Sequence, residues 1–322
     1  MRNIKPIPIS NQRKAQSEEP VTEAERQQLR GIIGSLQYAS VHTRPDLASR
    51  LSALQSKVNS ACVETLVMAN KTLHEAKSHH DVSITVQPIR RSDLRFLAFT
   101  DASFASKKTP ESQSGSIILA TNKNIESNIS CPVSPIAWGS KKIQKVVTST
   151  LAAKTMSLSS NLDMLSWVRL YWAWLYNPNG GWKHPSETLS ELPEAIVTAT
   201  DKTLGMPPAV AATDCKSLYD LVTRTAPPNC QEFRTQLQTR AIKEQLAEGV
   251  NVRWVHSGAQ LADALTKVME SHFLRETLRL GRYKLNDETE VLRERACTKT
   301  RLKWLKESAM LVELWSTDER GQ

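Results

Sequence analysis

Three aspartates, Asp101, Asp214 and Asp263, stand where apolar, strand-like runs end or where a helix begins. FLAFTD at 96–101 and AVAATD at 209–214 each close on the acid. Asp263 comes six residues after the run NVRWVHS at 251–257. Acids at strand ends and at a helix start can converge on one pocket in an α/β fold. Such a cluster suits two-cation phosphoryl chemistry, in which carboxylates bridge hard cations about 3.5–4 Å apart. Taken singly, each has a plainer reading. Asp214 could cap the helix that follows it, and Asp263 could be a first-turn acid favoured by the helix dipole.

A lysine belongs to the same set. The segment STLAAKTMSLSSNLDML at 149–165 reads as the opening of a long helix, capped by Ser149 or Thr150, with Leu151, Leu158, Leu162 and Leu165 as its apolar stripe. Lys154 falls three residues after Leu151 and four before Leu158, so it lies on the sheet-facing side. An ammonium group is not an oxygen ligand for a hard cation, and its charge repels one. Placed among the acids, it would neutralise them and stand in for a metal. The alternative is a lysine that snorkels past the core edge and leaves room for one cation.

The elements that must carry these residues follow from periodicity. Helices are expected over 22–38, capped by Thr22, over about 46–58, opened by Asp46 after the turn-like HTRPD, and over 63–77. Alternation of Val82, Ile84 and Val86 suggests a strand. Further strands are expected at 94–101, 114–121, 134–139, 208–214 and 251–257. The helix opened by Ser149 runs to about Leu175, a short helix covers 216–222, another covers 231–248, and a last one covers 259–268. The order β-β-β-α-β-α-α-β-α predicts an α/β fold with a mixed five-stranded sheet and flanking helices, preceded by a small helical unit.

The expected division is an irregular lead-in at 1–21, the helical unit at 22–80 and the sheet domain at 81–275. A Pro/Gly-rich insertion at 176–206 interrupts the sheet domain, and a charged, partly helical tail occupies 276–322. The aromatic group Trp167, Tyr171, Trp172 and Trp174 reads as core packing, or as a seat against the helical unit, ahead of base stacking.

Composition bounds the function. The chain has 322 residues, is 40% hydrophobic and 23% charged, and carries a formal charge of +9. A basic surface of this size is compatible with a polyanionic partner. Lys141, Lys142 and Lys145, with Ser140, Thr148, Lys107 and Lys108, could rim a phosphate-binding surface. Five scattered cysteines without a Cys-x-x-Cys pair argue against a disulfide framework or a zinc site and fit a reducing compartment. No apolar run of membrane-spanning length and no secretory leader occurs. An intracellular protein, cytoplasmic or nuclear, is expected.

TDASFAS at 100–106, SPIAWGSKKIQKVVTSTLAAKTMSLS at 134–159, TDCKSLYDLV at 213–222 and WVHSGAQLADALTK at 254–267 together resemble the ribonuclease H domain of Copia-type retrotransposon Pol polyproteins. GIIGSLQYASVHTRPDLASRLSALQSKV at 31–58 is similar to the end of the reverse transcriptase in the same polyproteins. The resemblance implies a ribonuclease H-like fold and two-metal hydrolysis of RNA in RNA–DNA hybrids, with Mg2+ or Mn2+ held by Asp101, Asp214 and Asp263.

In a working site, Asp101 would bridge both metals, Asp214 would share one and Asp263 would hold the second. The family's fourth ligand is a glutamate at the start of the long helix, where this chain has Lys154. Cleavage is therefore expected to be weak or absent, with Mg2+ or Mn2+ needed only if the site is active and no metal as the alternative. A non-catalytic nucleic-acid-binding scaffold and a decayed retroelement remnant are the alternative readings. The resemblance also implies a parent polymerase domain whose palm, with paired aspartates in a Y-x-D-D hairpin, belongs before residue 1. No such motif occurs here, so polymerase activity is not expected. His256 is given no catalytic role.

Overall fold

A computed structural model describes residues 4–104, 111–175, 206–225, 230, 232–268 and 271–286. The helical unit comes first: α1 (Asn11–Ala15), α2 (Glu23–His42), α3 (Ala48–Lys57) and α4 (Val63–Ser78). Thr22 caps α2 through a reciprocal capping box: its hydroxyl accepts from the Glu25 backbone N–H, and the Glu25 carboxylate accepts from the Thr22 N–H at 2.7 Å. This satisfies two otherwise orphaned donors. Leu29, Ile32, Ile33 and Leu36 of α2 pack on Leu47, Leu51, Leu54, Leu66 and Leu73 as one apolar core.

The sheet follows, built from β1 (Leu94–Ser103), β2 (Gln113–Asn122), β3 (Ser130–Lys142), β4 (Ala209–Thr213), β5 (Val250–Trp254) and β6 (Arg282–Lys284). Its order is β5-β4-β1-β2-β3-β6. β1, β2 and β3 run antiparallel, whereas β4 and β5 run parallel to β1. The parallel pairings require crossovers, supplied by α5 (Thr150–Leu175) before β4 and by α6 (Lys216–Thr223) and α7 (Phe233–Leu246) before β5.

Alternation along β1 sorts the core into two layers. Leu97 and Phe99 face Leu261, Leu265, Tyr283 and α8 (His272–Leu280). Phe96 and Ala98 face Leu158, Leu162 and Leu165 of α5, Leu218 of α6 and Ile242 of α7. The result is a mixed α/β sheet with helices on both faces. No helix among the described residues is long and apolar enough to cross a membrane.

Four local expectations are corrected. The sheet has six strands, not five, because β6 pairs antiparallel with the start of β3, from Ser130 to Pro132. The alternating segment at 82–86 forms no strand. Val82 is buried while Val86 is 79% exposed, and the segment meets β3 through a side chain, the Gln87 N–H donating to the Ser134 hydroxyl at 2.8 Å. The expected helix over 259–268 is two short 3-10 turns, Ser257–Ala259 and Leu261–Leu265. Gln260 separates them: its amide donates to the Thr100 carbonyl at 3.0 Å and its oxygen accepts from the Ala262 N–H.

Asp46, expected to open a helix, is instead a buried counter-ion. Its two oxygens accept from Arg44 at 2.8 Å each, and one accepts from Arg275 at 3.0 Å. Burial opposes its charge, yet Arg44 and Arg275 hold its carboxyl below the ordinary value.

That ion pair is one of several ties between the helical unit and the sheet. The Trp138 indole donates to the Ser40 carbonyl at 2.7 Å, Gln113 donates to Ser52 at 2.8 Å, and Ser49 donates to the Lys267 carbonyl at 3.1 Å.

Candidate functional site

The parallel register of β1 and β4 brings two acids level. Phe99 pairs with Ala212, so Asp101, two residues beyond Phe99, stands beside Asp214, two beyond Ala212. α5 runs across this end of the sheet and presents Lys154 from its second turn. The Lys154 ammonium lies 2.8 Å from Asp101 Oδ1 and 2.5 Å from Asp214 Oδ1. Asp101 is 2% exposed, and the side chains of Lys154 and Asp214 are each 14% exposed.

The remaining oxygen of Asp101 accepts from the Thr266 hydroxyl at 2.7 Å. Asp263 sits on the Leu261–Leu265 turn, close enough for its charge to act on Asp214, and its carboxylate is ion-paired with Lys267. The backbone behind Asp101 is pinned as well. Ser157 donates to the Asp101 carbonyl at 2.7 Å and shares hydroxyl contacts with Thr100 and Ser114. The Trp254 indole donates to the Asp214 carbonyl at 2.9 Å.

The charges respond to this packing. Burial works against the charge on Asp101, but Lys154, Thr266 and Lys267 outweigh it and hold the carboxyl below its usual value. At Asp214, burial and the neighbouring charge of Asp101 outweigh Lys154, and the carboxyl is raised. Lys154 itself is opposed by burial, yet the two carboxylates raise its pKa well above the ordinary lysine value. The ammonium is therefore charged throughout the neutral range.

A pair of divalent cations needs carboxylate oxygens facing a common space. Here the Oδ1 atoms of Asp101 and Asp214 face an ammonium, and Oδ2 of Asp101 faces a hydroxyl. Among the described residues no group of three or more His, Cys, Asp or Glu is arranged to hold a metal ion. The side chains as they stand do not fit a two-cation centre.

The other expected site residues are spread along the neighbouring rim. Ser140 donates to the Leu265 carbonyl at 2.6 Å and accepts from Gln113, so it braces the turn that carries Asp263. Lys142 is ion-paired with Glu111. Lys141 and Lys145 are exposed and line a groove against α5. Lys107 and Lys108, like the insertion up to residue 205 and the tail beyond 286, lie outside the described residues. His256 accepts from the Gly258 N–H at 3.0 Å and caps a 3-10 turn.

Thr266, Lys267 and Ser157 were not singled out from sequence, although all three follow closely on motif residues. The aromatic group divides. Trp172 packs edge-on against Phe96, but Trp167 and Tyr171 are 45% and 46% exposed, which corrects the expectation of core packing for these two rings.

No family model matches the chain. The Retrovirus-related Pol polyprotein from transposon RE1 of Arabidopsis thaliana is 26% identical over 139 residues, which is 43% of this chain and 9% of that polyprotein. Solved structures with loose likeness include the N-terminal RNase H domain of a Mycobacterium tuberculosis protein (12% identity, 54% of this chain and 91% of that chain, TM-score 0.32). RNase H1 from Halobacterium salinarum is another (12% identity, 53% and 93%, TM-score 0.31). A foamy viral protease–reverse transcriptase in complex with double-stranded DNA is a third (12% identity, 73% and 35%, TM-score 0.37). The chain is similar to a Copia-type retrotransposon Pol polyprotein over part of its length, and it spans about a tenth of that polyprotein.

Proposed function

We propose that this chain carries a retroelement-derived ribonuclease H-like domain whose hydrolysis of RNA in RNA–DNA hybrids is disabled by Lys154. One observation carries the reading: the Lys154 ammonium lies between Asp101 and Asp214, where a catalytic centre of this type would place a cation. The lysine supplies positive charge to the acids and so removes the need for a metal in keeping the fold. It cannot activate a water or stabilise a leaving oxygen as a divalent cation does. Asp263, paired with Lys267, retains a position beside the other two acids without completing a ligand set.

A second reading, a non-catalytic nucleic-acid-binding module, is supported by the exposed Lys141 and Lys145 beside the site. Both readings keep nucleic acid as the partner, and they separate on residual cleavage. The decisive experiment incubates the chain and its Lys154→Glu variant with a labelled RNA–DNA hybrid in Mg2+ and in Mn2+, with hybrid binding measured on the same preparations. The proposal expects binding by both proteins, little or no cleavage by the natural chain and metal-dependent cleavage by the variant. Efficient cleavage by the natural chain would sink it.

A further inference from the structure

The outer face of α5 carries a feature that the acid site does not use. Met164, Trp167, Tyr171 and Leu175 recur at spacings of three and four residues, so they form one stripe. All four are 43–57% exposed. The opposite face holds the buried Leu158, Leu162 and Leu165. The rings of Trp167 and Tyr171 lie 5.9 Å apart at 33°, two adjacent flat surfaces open to solvent. Toward the start of α5 the same face forms one wall of a groove of about 410 Å³, whose lining includes Lys141, Lys145, Ser160 and Met164.

An apolar stripe of this kind fits several partners, and the surroundings choose among them. The groove continuing the stripe is rich in lysine and serine, and the whole chain carries +9. Asp163, the acid on this stretch of α5, already accepts from Gln245 at 2.6 Å. Aromatic rings aligned with a cationic groove bind unpaired nucleic acid, because bases stack on the rings while phosphates follow the charge. We infer that this face is a second nucleic-acid site that takes a single, unpaired strand. Its bases stack on Trp167 and Tyr171, and its phosphates lie at Lys141 and Lys145. Trp167 is thirteen residues from Lys154, about 20 Å along the helix, so the stacking rings lie apart from the acid cluster, the lysines are shared with the rim beside it, and strand binding does not depend on whether that cluster cuts.

The test is fluorescence anisotropy of the full chain with a labelled oligouridylate of about twelve nucleotides, with the matching oligothymidylate as a second arm. Binding of either oligonucleotide is expected, with quenching of tryptophan emission. Trp167→Ala combined with Tyr171→Ala should weaken it at least about tenfold, and the Phe pair at the same positions should restore it to within about threefold. Lys141→Ala with Lys145→Ala should reduce the slope of log affinity against log salt by about 1.4. Absence of binding by the natural chain overturns the inference, as does undiminished binding by the ring-less variant. Stripe-dependent self-association in sedimentation without any effect on oligonucleotide binding would assign the face to protein contact instead.

Discussion

Replacing Lys154 by methionine keeps much of the side-chain volume and removes the charge, which isolates the role of the ammonium. In the natural chain that group lies within 2.8 Å of both Asp101 and Asp214. Its loss leaves two buried carboxylates facing each other without a counter-ion. Breaking a buried ion pair by removing one partner costs about 3–5 kcal/mol. The 14% residual exposure of Lys154 and Asp214 places the expected loss near the lower end, about 3 kcal/mol. For a domain of this size that is a fall of about 6–12 °C in Tm.

The pH dependence has a definite sign. Lys154 is raised above its ordinary value of 10.5, so its contribution is complete below that pH and is lost only as pH climbs through the folded value. In the methionine variant, burial and mutual repulsion raise the carboxylates. The penalty is present above their raised folded values and fades as pH falls through them. The gap between the two proteins should therefore be widest near neutrality and narrower in mild acid.

Urea unfolding across that pH range, repeated with and without Mg2+, gives the measurement. The natural chain should show no metal-dependent gain. Lys154→Glu should gain about 2.7 kcal/mol when Mg2+ is a hundredfold above its dissociation constant. A methionine variant within about 0.5 kcal/mol of the natural chain at neutral pH, a spread typical of surface changes, would refute the reasoning, as would a large Mg2+ gain in the natural chain.

Two further outcomes follow from the packing. Asp46→Asn leaves the buried Arg44 and Arg275 short of a counter-charge and should cost about 3 kcal/mol or more in urea unfolding. Because the folded pKa of Asp46 lies below 3.8, its contribution is present above that pH and is lost as pH falls through the folded value. The gap should stay flat in the neutral range and close only in strong acid. Gly115→Ala would set a methyl group 2.7 Å from Leu265 Cβ and 2.9 Å from the Leu265 carbonyl carbon. Backbone must move to admit it, so the turn bearing Asp263 shifts off β2 at a cost of about 1–3 kcal/mol, measurable as a lower urea midpoint.

Much of the fold was legible because it is written in local periodicity. The helices over α2, α4, α5, α6 and α7 and the core strands β1 to β5 follow from apolar spacing of about 3.6 or of 2. Thr22 and Ser149 announce their helices because an N-cap needs only a side-chain oxygen next to free N–H groups. The failures share a cause. The segment at 82–86 has strand-like alternation, but a strand exists only where the backbone pairs with a neighbouring strand, and this segment makes no such ladder. The 259–268 segment has helical composition, but Gln260 is drawn to the Thr100 carbonyl, on a strand far away in sequence. Asp46 looks like a cap until Arg275, 229 residues later, arrives beside it.

By itself the sequence offered the candidates: three acids at element ends, grouped by resemblance to a known family, and one lysine on the buried side of a helix, a direction that periodicity gives. The tertiary structure decided how their charges resolve. Only the parallel register of β1 and β4 sets Asp101 level with Asp214, and only the crossing of α5 sends the Lys154 ammonium between them. Coulomb energy depends on distances of a few ångströms between residues up to 165 positions apart, and those distances belong to the packed chain, not to any local stretch of it.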